Sequence, residues 1–333
     1  MVGWTRKNKF PLSCSIGIKL LLLPSLFNGG NGAFDRRAML STAAGTAAAR
    51  LLLDSPAVSL AEAEGTISAK LAQRNAAALK KPLFNFAPGR QVYPPWFEGT
   101  FETTIQFRGF EFPSISGLTK QDIVSDVSVA GFQKLSIAQL VDVGRETTTY
   151  QSRWVKDPDN GGTVVEDRAY NLKSAIDATI GYETVQSVEY DGRRNPNRAS
   201  IIFKEASTRN AERIELFSNA RASELYEPSA SLPQQSSALP LFYCSEYLRQ
   251  VTFSLSKQFG VPREVVTEYQ YFWTHRLMPS VEYEDGSADN MRCIKSNLLT
   301  CAYLQPQDAL FFKAADTPVV VYSHDLTHRQ LNG

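Results

Sequence analysis

From Thr100 onward, apolar and polar residues alternate at period two in segments separated by turn signals. In the first segment Phe101, Ile105 and Phe107 share one face. Glu146–Val155 sets Tyr150 and Trp154 against Thr149, Gln151 and Arg153 on the opposite face. The run Asp157-Pro158-Asp159-Asn160-Gly161-Gly162 is a turn, and a strand follows it through Thr163–Tyr170. Asn171–Thr179 switches to helical spacing, with Leu172, Ala175, Ile176 and Thr179 on one side. Strands return at Thr184–Tyr190, Ala199–Lys204, Arg213–Phe217, Leu241–Leu255, Val265–Leu277, Met291–Leu304 and Val319–His328. Glu227–Pro240 is a long loop, and Gln305–Phe312 is a turn or short helix. Ser125–Leu140 carries Val127, Val129, Phe132, Leu135 and Ile137 and fits neither period.

The alternation is preceded by Tyr93-Pro94-Pro95-Trp96-Phe97-Glu98-Gly99. Two prolines stop upstream structure from entering, Gly99 permits a tight bend, and Trp96 and Phe97 are placed to close one end of a barrel. About nine or ten sequential strands without a repeat predict one mainly β domain over residues 93–330. The expected form is an antiparallel up-and-down β-barrel with one or two short helices. Its last strand, Val319–His328, should pair beside Phe101–Phe107, leaving no exposed edge. Two stacked sheets are the alternative.

Charge changes the picture upstream. Residues 1–63 hold seven Lys and Arg against three acids, which leaves 28 basic and 31 acidic residues in the body. That split marks an export leader, disordered or helical, on a soluble cargo. No basic cluster in the body points to nucleic acid. Residues 1–33 read as a signal peptide, with Arg6, Lys7 and Lys9 before a short apolar core from Ile16 to Phe27, too short to span a bilayer. Residues 34–63 read as a twin-arginine segment, with Arg36-Arg37 before a mild Ala/Leu stretch and an Ala61-Glu62-Ala63 cleavage pattern. An N-terminal membrane anchor is the alternative. Residues 64–92 read as a linker or a short amphipathic helix, with no transmembrane span in the mature chain.

Motif chemistry is sparse. No nucleotide-binding, nucleophile-elbow or C-x-x-C pattern occurs, so no catalytic residue, metal or cofactor is assigned. His324 and His328 are four apart, a separation of roughly 13 Å on a strand, too wide to share a metal. Cys293 and Cys301 would form a disulfide only across a hairpin near Ser296-Asn297; otherwise Cys244, Cys293 and Cys301 are buried thiols. Arg168 lies in Glu166-Asp167-Arg168, the most polar short cluster inside an expected strand, and Arg249 on an otherwise apolar face; each is either a surface ion-pair former or an inward anchor for an anionic head group. Tyr150, Trp154, Tyr247, Tyr269, Tyr271, Trp273, His275 and Tyr322 form an aromatic wall, either simple core or the lining of a ligand cavity.

Several stretches together resemble an uncharacterised family. They are Pro95-Trp96-Phe97 with Gly99-Thr100, Gly162 to Asn171, Asn195-Pro196-Asn197-Arg198, Tyr303-Leu304 with Pro306-Gln307-Asp308, and Pro318 to Tyr322. Its members occur in cyanobacteria and plastids, often with thylakoid-lumen signals, and carry only a domain of unknown function. The resemblance runs from about Tyr93 to His328 and supplies no reaction. The leader, with Phe34 after the first signal, resembles the plastid-targeting leaders of algae with secondary plastids. The Trp96 to Gly99 opening is similar to that of lipocalin-like (calycin) barrels, as fold analogy only. The expectation is a non-catalytic thylakoid-lumen barrel that binds a small apolar or amphipathic ligand of the lipid or pigment class. An accessory or assembly factor for a photosynthetic membrane complex, acting through its surface, is the alternative. An enzyme with its site in the barrel ranks third.

Overall fold

In the computed structural model the alternating segments form one eleven-stranded antiparallel sheet. The structure describes residues 65–331 apart from 83–85, 114–117, 126–127, 146, 228–238, 259–260, 280, 283–287 and 290. The two leader segments lie outside the described residues. In chain order the strands are β1 (Val92–Tyr93), β2 (Gly99–Glu111), β3 (Thr148–Asp157), β4 (Thr163–Glu166), β5 (Val185–Asp191), β6 (Asn195–Phe203) and β7 (Arg213–Tyr226). They continue with β8 (Leu241–Gln258), β9 (Val261–Leu277), a small separate pair β10 (Val281–Glu282) and β11 (Ala288–Asp289), β12 (Cys293–Tyr303) and β13 (Val320–Gln330). Three short helices accompany them: α1 (Ile67–Ala72), α2 (Lys120–Val124) and α3 (Arg168–Ile180).

The strand order is β1-β4-β3-β2-β13-β12-β9-β8-β7-β6-β5. From β5 to β13 this is an up-and-down meander, and β13 then joins β2, with Gln330 opposite Phe101 and His324 opposite Phe107. The last strand therefore lies beside the first long one, as the sequence predicts. The expected closed barrel does not form. The sheet is a curled half-barrel whose edges are β1 and β5, and α3 lies between β4 and β5 in the chain.

Helix α3 explains the open seam. Asp167 caps its start by accepting from the Tyr170 N–H, so the strand predicted through Tyr170 stops at Glu166. Gly181, at φ 95°, ends the helix. On one side Asn171 accepts from the Arg153 N–H at 2.7 Å and donates to the Arg153 carbonyl at 3.2 Å, and Ser174 accepts from the Gln151 N–H. On the other side Asp177 accepts from the Val185 N–H at 2.9 Å while Lys173 donates to the Val185 carbonyl at 2.8 Å. Helix side chains thus satisfy edge groups of β3 and β5 that a neighbouring strand would otherwise take.

Residues 128–145 form the interior plug. Val129, Ala130, Leu135, Ile137, Ala138 and Val141 are buried in the cores inside the curl. Irregular backbone needs partners there, and inward side chains of the sheet provide them. Gln250 accepts from the Ala138 N–H and donates to the Leu135 carbonyl, Thr267 donates to the Ser136 carbonyl, and Tyr322 donates to the Ala130 carbonyl. A chain that follows the sheet's interior has no periodicity of its own, which is why this stretch fits neither template.

At the opposite end Phe97 is fully buried with Phe101, Trp154, Phe242 and Ile294, and Trp96 stacks on it at 4.6 Å. These two rings are a floor. The convex face is also covered: Ile67, Ala76 and Leu79 pack on Tyr247, Phe272, Cys301, Tyr303 and Val321. Both faces of β8, β9 and β12 are therefore apolar.

Candidate functional site

Read along β8 and β9, the interior has layers. Phe242 and Cys244 belong to the floor, Leu248 and Tyr269 to the plug layer, and between them Glu246, Tyr271 and Trp273 line a cavity. Its free space is about 60 Å³, room for roughly four to six waters at about 10–15 Å³ each. Seven of the ten candidate residues line it: Tyr150, Trp154, Arg168, Tyr269, Tyr271, Trp273 and His275.

The other three do not. Arg249 is exposed on the convex side of β8, because the inward positions of this strand are the even ones through Gln250. Tyr247 shares that outward parity and is buried under the N-terminal segment, its hydroxyl donating to Glu268 at 2.6 Å. Strand alternation assigns two faces but not which one is concave when both are apolar. Tyr322 does face inward, but it packs on the plug. The Cys293–Cys301 bridge is also corrected. Both thiols are free and sit on the unbroken strand β12, eight residues and roughly 26 Å apart.

Sequence reasoning missed two carboxyls, and they define the chemistry. Arg168 opens α3, where its Nη1 donates to both oxygens of Glu246 at 2.9 and 3.1 Å. Arg221 of β7 donates to the same Glu246 oxygen through Nε and Nη2 at 2.9 and 2.7 Å, and Ser218 adds a bond of 2.5 Å. Burial alone would push the Glu246 carboxyl up, but the two guanidiniums and Ser218 hold it at about 2. Burial would likewise pull the Arg168 guanidinium down, and Glu246 with Glu166 more than offsets that, so it stays charged. Glu166 differs. Its one hydrogen bond is from Asn171 at 3.2 Å, and among the described residues no cation approaches it within 4.0 Å. Burial pushes its pKa up, only partly countered by Arg168. Glu246 was legible as the one charge in the phase of Phe242, Cys244 and Leu248; Glu166 sat in a cluster whose strand-to-helix junction the alternation did not resolve.

Beside this ionic cluster lies a neutral belt, one side chain per neighbouring strand. Ser152 bonds Thr103 at 2.5 Å, Thr103 bonds His328 Nδ1 at 2.8 Å, His328 Nε2 bonds Ser296 at 3.0 Å, and Ser296 bonds His275 Nδ1 at 2.7 Å. His275 Nε2 then reaches the Cys244 sulfur at 3.8 Å. All can donate in one direction round the belt if both imidazoles are neutral. Burial enforces that state, pushing His328 down to about 3 and His275 well below its usual range. Burial also pushes the Cys244 thiol up, which leaves it a poor nucleophile. Among the described residues no group of three or more His, Cys, Asp or Glu side chains is arranged to hold a metal ion. No helix among them is long and apolar enough to cross a membrane.

Fold and site together define a class: a helix-closed antiparallel half-barrel with a small aromatic cavity and a buried ionic cluster in its wall. The chain belongs to the family of the domain of unknown function DUF6816, which matches residues 85–330. Comparison with curated proteins and with solved structures gives no match.

Proposed function

We propose that this protein is a non-catalytic binding protein of the thylakoid lumen for a small amphipathic ligand with one anionic group. The observation that carries this reading is Arg168. Its Nη1 donates to Glu246, a carboxylate it shares with Arg221, and the side chain lines the cavity. A guanidinium in a cavity wall that shares its one carboxylate with a second cation favours a carboxylate, sulfonate or phosphate ester. Tyr150, Trp154, Tyr271 and Trp273 supply an apolar surface for the rest of the molecule. The free volume bounds what enters: the head and first ring or few methylenes of a lipid- or pigment-class molecule. The lumenal setting rests on the tandem leader signals.

The test is calorimetric titration with p-toluenesulfonate, with p-toluenesulfonamide as the neutral analogue. The sulfonate should bind and the sulfonamide at least tenfold more weakly. Arg168→Gln should lose sulfonate binding, while Arg249→Gln, on the outer face, should keep it. Equal binding of the two probes, or none by either, defeats the reading.

A second reading, a surface-acting accessory factor for a photosynthetic membrane complex, draws on exposed aromatics. Phe312 is 92% exposed and Phe110 50% exposed, and Lys120 lies 5.5 Å from the Phe110 ring. Co-purification of such a complex in mild detergent, lost in Phe312→Ser, would favour it.

A further inference from the structure

We propose that the cavity takes up its anionic ligand together with one proton, held on Glu166, so that the bound pair is a monoanion and a neutral carboxyl. This deepens the binding reading above and rests on it.

Arg168 and Arg221 are two cations that share one carboxylate, Glu246. Every nitrogen of Arg221 already donates: besides Glu246 it bonds Ser218 and the carbonyls of Pro196 and Gly89. One positive charge is therefore left over, and it sits on the cavity-lining guanidinium of Arg168. Glu166 lines the same cavity and, among the described residues, is the carboxyl placed to answer that charge. Ionised, Glu166 makes the cluster neutral, and an entering anion meets a like charge. Protonated, Glu166 leaves the cluster at one net positive charge, which a monoanion neutralises. The geometry favours the protonated form, since the carboxyl has one neutral donor and no ion pair.

The neighbours keep the count simple. Around Glu166 stand Arg168 of α3, Arg221 of β7, and Glu246 with Cys244 of β8. Tyr93 of β1, Tyr150 of β3 and Tyr190 of β5 complete the surround. Burial pushes Cys244 and the three tyrosines upward, so they stay neutral. His275 and His328 line the cavity too, and burial holds both well below their usual range. Glu246 is ionised throughout. Glu166 is thus the group whose charge changes first as pH falls from neutrality.

The sign follows. Above the Glu166 pKa, binding must bring a proton, so affinity rises as pH falls, approaching tenfold per pH unit. Below that pKa the affinity is flat. The ligand fits this test only if its own charge is constant, and p-toluenesulfonate stays ionised across the range.

The experiment is calorimetric titration of the protein with p-toluenesulfonate from about pH 8 to about pH 5.5, in pairs of buffers with different ionisation enthalpies. Wild type should take up close to one proton per ligand at the upper end and gain affinity toward the lower. Glu166→Gln should bind with the low-pH affinity throughout and take up none. Binding without proton uptake at any pH overturns the coupling and leaves the binding reading intact. The same proton uptake in Glu166→Gln overturns the assignment to this residue. No binding at any pH removes the binding reading itself. Should Glu166→Gln misfold, the proton count in wild type decides alone.

Discussion

The plug layer and the cavity layer lie next to each other on the same strands, yet they bury polarity in opposite ways. In the plug layer Gln250, Thr267 and Tyr322 are neutral, and each bonds a backbone group of the 128–145 segment. In the cavity layer the inward groups include four charge-bearing side chains, Glu166, Arg168, Arg221 and Glu246, and some space is left. Neutral satisfied groups stabilise a unique packing, whereas buried charges cost solvation and rarely improve on an apolar filling. The contrast assigns the plug to structure and is the reason the proposed site is the cavity.

The largest effect should come from unbalancing the charges. Glu246→Gln leaves two buried guanidiniums without their carboxylate, at a cost of about 3–5 kcal/mol, read by chemical denaturation. A loss under about 1 kcal/mol would mean that water already reaches the cluster and the two layers are not so different. Next comes the plug. Gly131 has φ 101°, and an added Cβ would meet the Tyr322 hydroxyl at 2.2 Å. Gly131→Ala should therefore cost about 1–3 kcal/mol while leaving ligand affinity per folded molecule unchanged. A change in affinity would tie the plug to the cavity.

Acid lability, per group, is of the same order as the plug substitution. Burial holds His324 at about 4 and His328 at about 3, both below the ordinary 6.5. A depressed histidine contributes stability above 6.5 that is lost as pH falls, so each should cost about 2 kcal/mol by pH 5. Glu246 adds a loss only below its ordinary 4.5, toward about 2. Glu166 has the opposite sign, because its raised pKa makes the ionised form unfavourable as pH rises. Glu166→Gln should then stabilise the protein above that pKa, and thermal melts across pH would show it. His324 faces the plug side, against Phe107, and His328 the cavity. Substituting each by Asn separates the two layers' shares.

Much of this was readable in the order of residues. Period-two alternation located most of the long strands within a few residues, though β7 runs nine residues past the expected end at Phe217, and the Asn171–Thr179 spacing located α3. Pro94 to Gly99 marked the floor, and chain order implied the β13–β2 pairing. Reading failed where one face had to be chosen from two. On β9 only one phase is rich in aromatics, and Tyr269, Tyr271, Trp273 and His275 do share the concave side. On β8 both phases are apolar, because α1 and its continuation cover the outside, and Tyr247 with Arg249 went to the wrong face. The disulfide expectation assumed a turn at Ser296-Asn297, where instead Ser296 is the centre of the hydrogen-bonded belt.

The sequence by itself determined local things: strand phase, helix caps, the floor and the presence of a leader-like charge split. These follow from neighbours along the chain, whose steric and hydrogen-bonding preferences act at short range. Only the tertiary structure decided that the barrel stays open, that α3 occupies the seam, and that the aperiodic segment fills the interior. It alone brought Glu166, Arg168, Arg221 and Glu246 together from three strands and a helix. Charge balance in a buried cluster depends on distances between residues far apart in the chain, and no local pattern encodes those distances.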